Sequence, residues 1–263
     1  TVIREVTAII RPEVDGWRVD RLETTVPGNT RVEATGRLGI GDDFGFSGTL
    51  LVASRQPTGL ANWLSGNTNA SLRNLSSAGL QARVILTPRQ STFEDMELIL
   101  DGVTLRGKLQ RLAPVDGRAA IVAELRGARV DIDDLVAVYA LAQNREGENL
   151  TTHDLDVTID AGLFRARGLE AADVDARIKV EAGAISVDRF NAGDFYGASI
   201  ASNGRLVDLL ERASGSFQLV VKAQDASRLV SLASERLGAN RLLSSLAGDP
   251  ALVSDLDIEL RVD

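Results

Sequence analysis

Cysteine is absent from the 263 residues and histidine occurs once, as His153. No disulfide framework or thiolate metal site can form, and a zinc centre lacks its usual ligands. Aromatic residues make up only 4% of the chain. The basic residues form no stripe, so both the stacking platform and the electrostatic footprint of a nucleic-acid binder are missing. No stretch approaches the ~18 consecutive apolar residues that cross a bilayer, and no signal-peptide pattern opens the chain. The sequence begins at Thr1 and stops at Asp263 inside an alternating pattern. We therefore expect an excerpt of a longer chain, with any membrane anchor upstream. What is present is of globular composition: 44% apolar, 25% charged, and a net charge of −8 with the two signs interleaved.

The dominant pattern is alternation with period two. From Asp173 to Glu181 every even position is apolar or alanine and every odd one charged, and the same rule runs from Asp255 to Asp263. Asp154–Asp160 alternates likewise. Side chains alternate across a strand, so each segment has one dry and one wet face, as in antiparallel sheets with one solvated side. Further strands are expected near 1–10, 16–24, 44–54, 80–87, 93–100, 118–126, 185–190 and 215–223, punctuated by Gly and Pro. Three segments, Val32–Leu38, Val103–Leu109 and Ile200–Leu206, share the order apolar-x-x-x-Gly-basic-Leu. A glycine repeated inside a strand marks a bend or a close backbone approach, which predicts a sheet that curves at regular places.

A larger echo accompanies this one. Gly48–Val52 leads to Pro57 and a helical spacing at Leu60, Trp63 and Leu64. Gly215–Val221 leads to Asp225 and a helical spacing at Leu229, Leu232, Ala233 and Leu237. New alternating strands follow at Leu80 and Leu256, so strand–helix–strand occurs twice, as in repeat architectures. Asp133–Leu141 reads as a third short helix with acidic residues at its N-terminus, where the dipole favours them. The polar stretch Gln143–Asn149 is the one candidate boundary. The expected organisation is a first β-repeat unit over 1–142, with helices near 57–76 and 133–142. A second unit covers 150–263 with a helix near 225–247, and both continue one sheet.

Sites of chemistry are sparse. His153 has neighbouring Asp154 on the opposite face of the same strand and no nucleophile in sequence, and reads as a histidine at a partly exposed strand start. The acidic pairs Asp42/Asp43, Asp131/Asp133/Asp134, Asp154/Asp156 and Asp255/Asp257 lack the glycine-spaced loop of a calcium site and read mostly as wet faces of strands. Gly36–Gly41 lacks the order of a dinucleotide fingerprint and reads as a turn. Leu60, Trp63 and Leu64 read as a core stripe, with a cap over a groove or contact with a bilayer surface as the other use. No cofactor, metal or catalytic residue is expected.

The segments Gly48–Ser54 with the 57–64 helix, Phe93–Leu109, Val130–Leu135 and Gly168–Leu206 resemble the AsmA family of Gram-negative envelope proteins, which includes TamB- and YhdP-like members. The resemblance covers most of the chain from about residue 28 onward. It implies a long, curved antiparallel sheet with an apolar inner face, standing in the periplasm and tethered to the inner membrane by a helix outside this segment. It also implies a role in phospholipid movement and outer-membrane assembly, and it brings no catalytic residues. The expected partners are phospholipid acyl chains, other repeats of the same parent chain and the membrane.

Register places Val32, Ala34, Leu38, Val103, Leu105, Leu109, Val174, Ile178, Val180, Ile200, Leu206, Leu256, Ile258 and Leu260 on the dry face as candidate groove lining. A one-residue slip would turn any strand's set outward. Burial of a methylene contributes about 0.8 kcal/mol, so an open groove of this kind would hold an acyl chain without polar contacts. A closed core that serves as a structural or protein-interaction module shows the same alternation. The two readings differ in whether lipid or only side chains fill the interior.

Overall fold

The computed structural model describes residues 3–41, 44–66, 75–114, 117–142, 153–207, 214–237 and 254–262. The chain is mainly β, with antiparallel strands in open, curved sheets and three short helices. It divides into two compact units, 1–154 and 155–263. In the first, β1 (Arg4–Glu13), β2 (Gly16–Val26), β3 (Thr30–Gly39) and β4 (Gly45–Ser54) lead to α1 (Pro57–Ser65). Then β5 (Ala78–Leu86), β6 (Gln90–Leu100), β7 (Val103–Leu112) and β8 (Ala120–Asp131) lead to α2 (Ile132–Ala142). The second unit contains β9 (Asp154–Ala166, whose first residue belongs to the first unit), β10 (Leu169–Glu181), β11 (Ala184–Phe195), β12 (Ala198–Val207), β13 (Ser214–Asp225), α3 (Ser227–Leu237) and β14 (Ser254–Val262). Within each unit, sheet order is chain order. Such a meander follows from the short turns: Glu13 to Gly16, Val26 to Thr30, and Leu100 to Val103 leave no room for a crossover.

The three apolar-x-x-x-Gly-basic-Leu segments lie in β3, β7 and β12 and occupy equivalent places. Each glycine pairs with a residue flanking a bulge in the preceding strand: Gly36 with Val19, Gly107 with Met96, Gly204 with Val187. Each has φ near +155°, and an added Cβ would meet a carbonyl of the following strand. At Gly107 the distance to the Glu124 oxygen would be 1.8 Å, so nothing larger than hydrogen fits. The empty space is taken up by neighbours. The Phe217 ring leans over Gly204, and Leu125, which pairs with Gly107, joins the cluster of Ala82, Val84 and Met96. Bulges and glycines together bend the strands, and large side chains lean over small ones.

The strand after each glycine strand ends in a residue that caps a helix or its entrance. Asp131 Oδ1 accepts the N–H of Asp133 at 3.0 Å, and Asp225 Oδ1 accepts that of Ser227 at 2.9 Å. Ser54 Oγ accepts the N–H of Gln56 at 3.3 Å. The two aspartates satisfy donors that a helix start would otherwise leave unpaired, whereas the Gln56 N–H also donates to the Gly28 carbonyl at 2.9 Å, so Ser54 braces the entrance to α1. The plan of bulged strand, glycine strand, capping strand and helix therefore occurs three times, once more than the echo read from sequence.

Three expectations need correction. Gly36–Gly39 is strand rather than turn, because those residues complete the ladder to β4, and the chain turns at Gly41 (φ +71°). The first helix does not reach residue 76: Gly66 takes the left-handed conformation (φ +67°) that closes a helix, and Leu75 and Ser76 are not helical. The Leu60, Trp63 and Leu64 stripe is not core. The helix buries Pro57 and Ala61, one turn apart, and leaves Trp63 and Leu64 exposed. The boundary at 143–149, Asp42/Asp43 and the helical positions 67–74 and 238–247 lie outside the described residues.

Candidate functional site

The ladder registers bring the candidate residues together. Opposed residues of an antiparallel pair share a face. In the first unit one row runs Val32, Val52, Leu80, Leu98, Leu105, and its neighbour runs Leu22, Ala34, Leu50, Ala82. Leu38 opposes Phe46, which opposes Leu86; Leu109 opposes Phe93, and Val103 opposes Leu100. All six first-unit candidates share a face. In the second unit one row is Ala161, Val174, Ala192, Ile200, Val221, Ile258. Ile178 opposes Val157 and Val187, Val180 opposes Leu155 and Ile185, Leu206 opposes Ile185, Leu256 opposes Ala223, and Leu260 opposes Leu219. The eight second-unit candidates likewise share a face.

Exposure varies along these rows. Ala34, Leu105 and Val174 are buried; Val32, Leu38, Val103, Leu109, Ile178, Val180, Ile200, Leu206 and Leu256 are half-buried. At the last strand Ile258 is 39% and Leu260 49% exposed. Small residues on an open face are hidden only where the face is concave and neighbours close over them. In the second unit Ala171, Ala176 and Ala192 lie beneath Phe164, Phe190 and Phe195. Among the described residues every strand belongs to the meander, so none forms a facing sheet.

Each unit seals one end of its face under helix. In the second unit, Ala226 and Val230 of the α3 segment pack on Ala198, Val221 and Ala223. In the first, α1 and α2 touch each other, and the end beneath α1 includes a polar pair. The Thr30 hydroxyl, fully buried, donates toward Ser54 Oγ at 2.9 Å and lies 3.0 Å from the Pro27 carbonyl; Ser54 Oγ in turn lies 3.2 Å from the Gly28 carbonyl. Gly28 and Gly59 meet backbone to backbone, and a Cβ on Gly28 would lie 2.5 Å from the Gln56 oxygen. Sequence pattern missed this pair, because a threonine and a serine at strand ends carry no signal of burial.

The titratable groups serve the fold. For Asp101 desolvation raises the pKa, but the Ser76 hydroxyl, the Ser77 and Ser76 N–H groups and Arg129 outweigh it, and the net pKa is lowered. Its Oδ1 accepts from Ser76 N and Oγ, both at 2.8 Å, which anchors the entrance to β5. Asp134 is raised, first by desolvation and then by Asp131, against the opposing pull of Arg129. Asp225 is lowered by the hydroxyl and N–H of Ser227. Three aspartates of the other acidic pairs are ion-paired: Asp156 with Arg177 (3.2 Å) and Asp257 with Lys222 (3.1 Å) across strands, and Asp154 with Arg118 just before β8 (2.8 Å).

His153 is 1% exposed, not partly exposed as its position suggested. It sits just before β9, where the Asp154 N–H donates to the Ala119 carbonyl and draws the chain against the start of β8. Among the described residues no group of three His, Cys, Asp or Glu side chains is placed to hold a metal ion, and no helix is long and apolar enough to cross a membrane. No protein-family model matches the chain. Neither a curated protein nor a solved structure shows significant similarity to it.

Proposed function

We propose that the chain is a non-enzymatic periplasmic scaffold of the AsmA type, whose apolar faces shield phospholipid acyl chains during inter-membrane transport and outer-membrane assembly. The observation that carries this reading is the half-open apolar face of each unit: along the cross-strand rows most of the Val, Ile and Leu side chains are only half-buried, and no described strand forms a facing sheet. A contiguous apolar face left partly exposed marks an interaction surface, and a surface with few polar groups suits a disordered hydrocarbon chain better than a peptide. A protein-interaction module is the competing reading, favoured by β1, which is exposed along its whole length.

Lipid extraction and mass spectrometry of the purified chain, against an identically treated β-sandwich protein, tests the reading. Phospholipid enriched above the control supports shielding, and a lipid-free chain favours the interaction module. The decisive variants are Ile178→Asp, on the apolar face, and Lys179→Asp, one residue on and ion-paired with Asp188 at 3.5 Å. Ile178→Asp is expected to lose retained lipid while Lys179→Asp keeps it. Equal retention by the two folded variants would refute the assignment.

A further inference from the structure

The end of the first unit beside α1 carries two clefts that share Thr25 and Asn29. One, of about 540 Å³, is lined by Arg4, Val26, Asn62 and Trp63 over a floor of Gly28 and Gly59. The other, of about 520 Å³, is lined by Arg31 and Arg55 above Ala53 and Gly79. Among the described residues no carboxylate lines either cleft, although the chain carries a net charge of −8. Arg31 is ion-paired with Glu33. The guanidinium groups of Arg4 and Arg55 have no ion pair among the described residues. The Glu5 carboxylate, next to Arg4 in β1, accepts from the hydroxyl of Thr25 at 3.3 Å.

We propose that these adjoining clefts bind a phosphate group where they meet at Thr25 and Asn29, with Arg4 of the first cleft and Arg55 of the second as its cationic ligands, Asn29 and Asn62 as amide donors, and Trp63 of the first cleft as an apolar wall. Guanidinium matches phosphate oxygens in a bidentate geometry, and both volumes fall within the usual range of small-ligand sites. The wall between α1 and the turn before β3 depends on glycine: a Cβ on Gly59 would lie 2.8 Å from the Gly28 Cα, so a side chain at either position would push α1 away from that turn and disrupt the first cleft. Trp63 lines the first cleft and Leu64 is exposed next to it in α1, while Thr25, Arg31, Ala53 and Gly79 form one cross-strand row on the face opposite the apolar rows. A phosphate bound here therefore has hydrocarbon-compatible surface next to it, the arrangement that a phospholipid headgroup requires. The lipid source rests on the shielding function proposed above; the phosphate chemistry does not.

The test uses the full chain with Trp17→Phe, so that emission reports Trp63 alone. Short-chain phosphatidylglycerol is expected to shift that emission, with affinity falling as salt rises. Arg4→Gln and Arg55→Gln are each expected to weaken binding about tenfold, a loss of about 1.4 kcal/mol, whereas Arg11→Gln leaves it unchanged. Circular dichroism checks that each variant is folded. If inorganic phosphate competes fully, the site reads free phosphate as well as lipid; if it does not, the ligand is the headgroup with its tails. An equal shift from uncharged short-chain diacylglycerol, or unchanged affinity in both arginine variants, would overturn the proposal. Failure of the shielding function would show separately, as a chain that purifies without lipid yet binds inorganic phosphate.

Discussion

The β2–β3–β4–α1 segment of the first unit and the β11–β12–β13–α3 segment of the second follow one backbone plan and close their ends with different chemistry. Both have the bulge, the strand glycine near φ +155° and the capping residue at the strand end. Beneath α1 the seal is polar and tight, with Thr30 bonded to Ser54 and Gly28 against Gly59. Beneath α3 it is apolar, with Ala226 and Val230 on Ala198, Val221 and Ala223. Backbone geometry decides where a helix must sit, and the side chains underneath are free to diverge provided that every buried polar group finds a partner.

The shared part of that comparison is broken most severely at the glycines. An added methyl would approach a carbonyl oxygen to 1.8 Å at Gly107, 2.2 Å at Gly36 and 2.5 Å at Gly204. Positive φ adds strain at each. Gly107→Ala is expected to cost about 3 kcal/mol or more, with Gly36→Ala and Gly204→Ala following in that order. Urea denaturation of the three variants checks both size and rank. A Gly107→Ala protein with unchanged midpoint would mean that the backbone shifts to admit the methyl, and that the three glycines do not fix the curvature.

The divergent part is tested at the caps. Ser54 is 3% exposed and has three partners within hydrogen-bonding reach, so Ser54→Ala removes contacts to Thr30, the Gly28 carbonyl and the Gln56 N–H together, leaving Thr30 only the Pro27 carbonyl and the Gln56 N–H only the Gly28 carbonyl. A loss of about 2 kcal/mol is expected from a buried network broken on one side. Asp225→Ala removes the equivalent cap in the second unit, but there water can replace the lost acceptor, so the loss is smaller. Thermal melts of the two variants would sharpen the contrast, and equal losses would remove it.

Much of this architecture was legible because alternation is a direct consequence of a strand with one wet face. Every described strand, from β1 to β14, coincides with a segment marked by alternation, by turn residues or by the glycine repeat. The fourteen dry-face residues fell on common faces for the same reason: each strand was read inside one register, between turns that fixed it. Closure was not legible. The burial of His153 depends on Asp154 bonding to Ala119, far away in sequence. Trp63 was assigned to the core by helical spacing alone, yet the approach of Gly59 to Gly28 turns Pro57 and Ala61 inward instead. The adjoining clefts at Arg4 and at Arg55 draw on residues far apart in sequence, and no local pattern announces them.

The smallest expected effect concerns two aspartates beside equivalent helix starts. Asp225 is held below its ordinary pKa by Ser227, so its contribution to stability is present above the unfolded carboxylate value and is lost as pH falls through the lowered one. Asp134 is raised, chiefly by desolvation and by Asp131, so ionising it costs more in the folded chain than in the unfolded one. Its effect has the opposite sign: stability declines as pH rises from the unfolded carboxylate value through the raised one. Asp134→Asn is therefore expected to raise the melting temperature slightly at neutral pH and to leave it unchanged in acid below both values. Asp225→Asn is expected to lower it at neutral pH, with the difference again vanishing in acid. If Asp134→Asn instead lowered the neutral melting temperature, the attraction of that carboxylate to the α2 N-terminus would outweigh its desolvation and its repulsion by Asp131. The two helix starts would then be alike in electrostatics as well as in backbone plan.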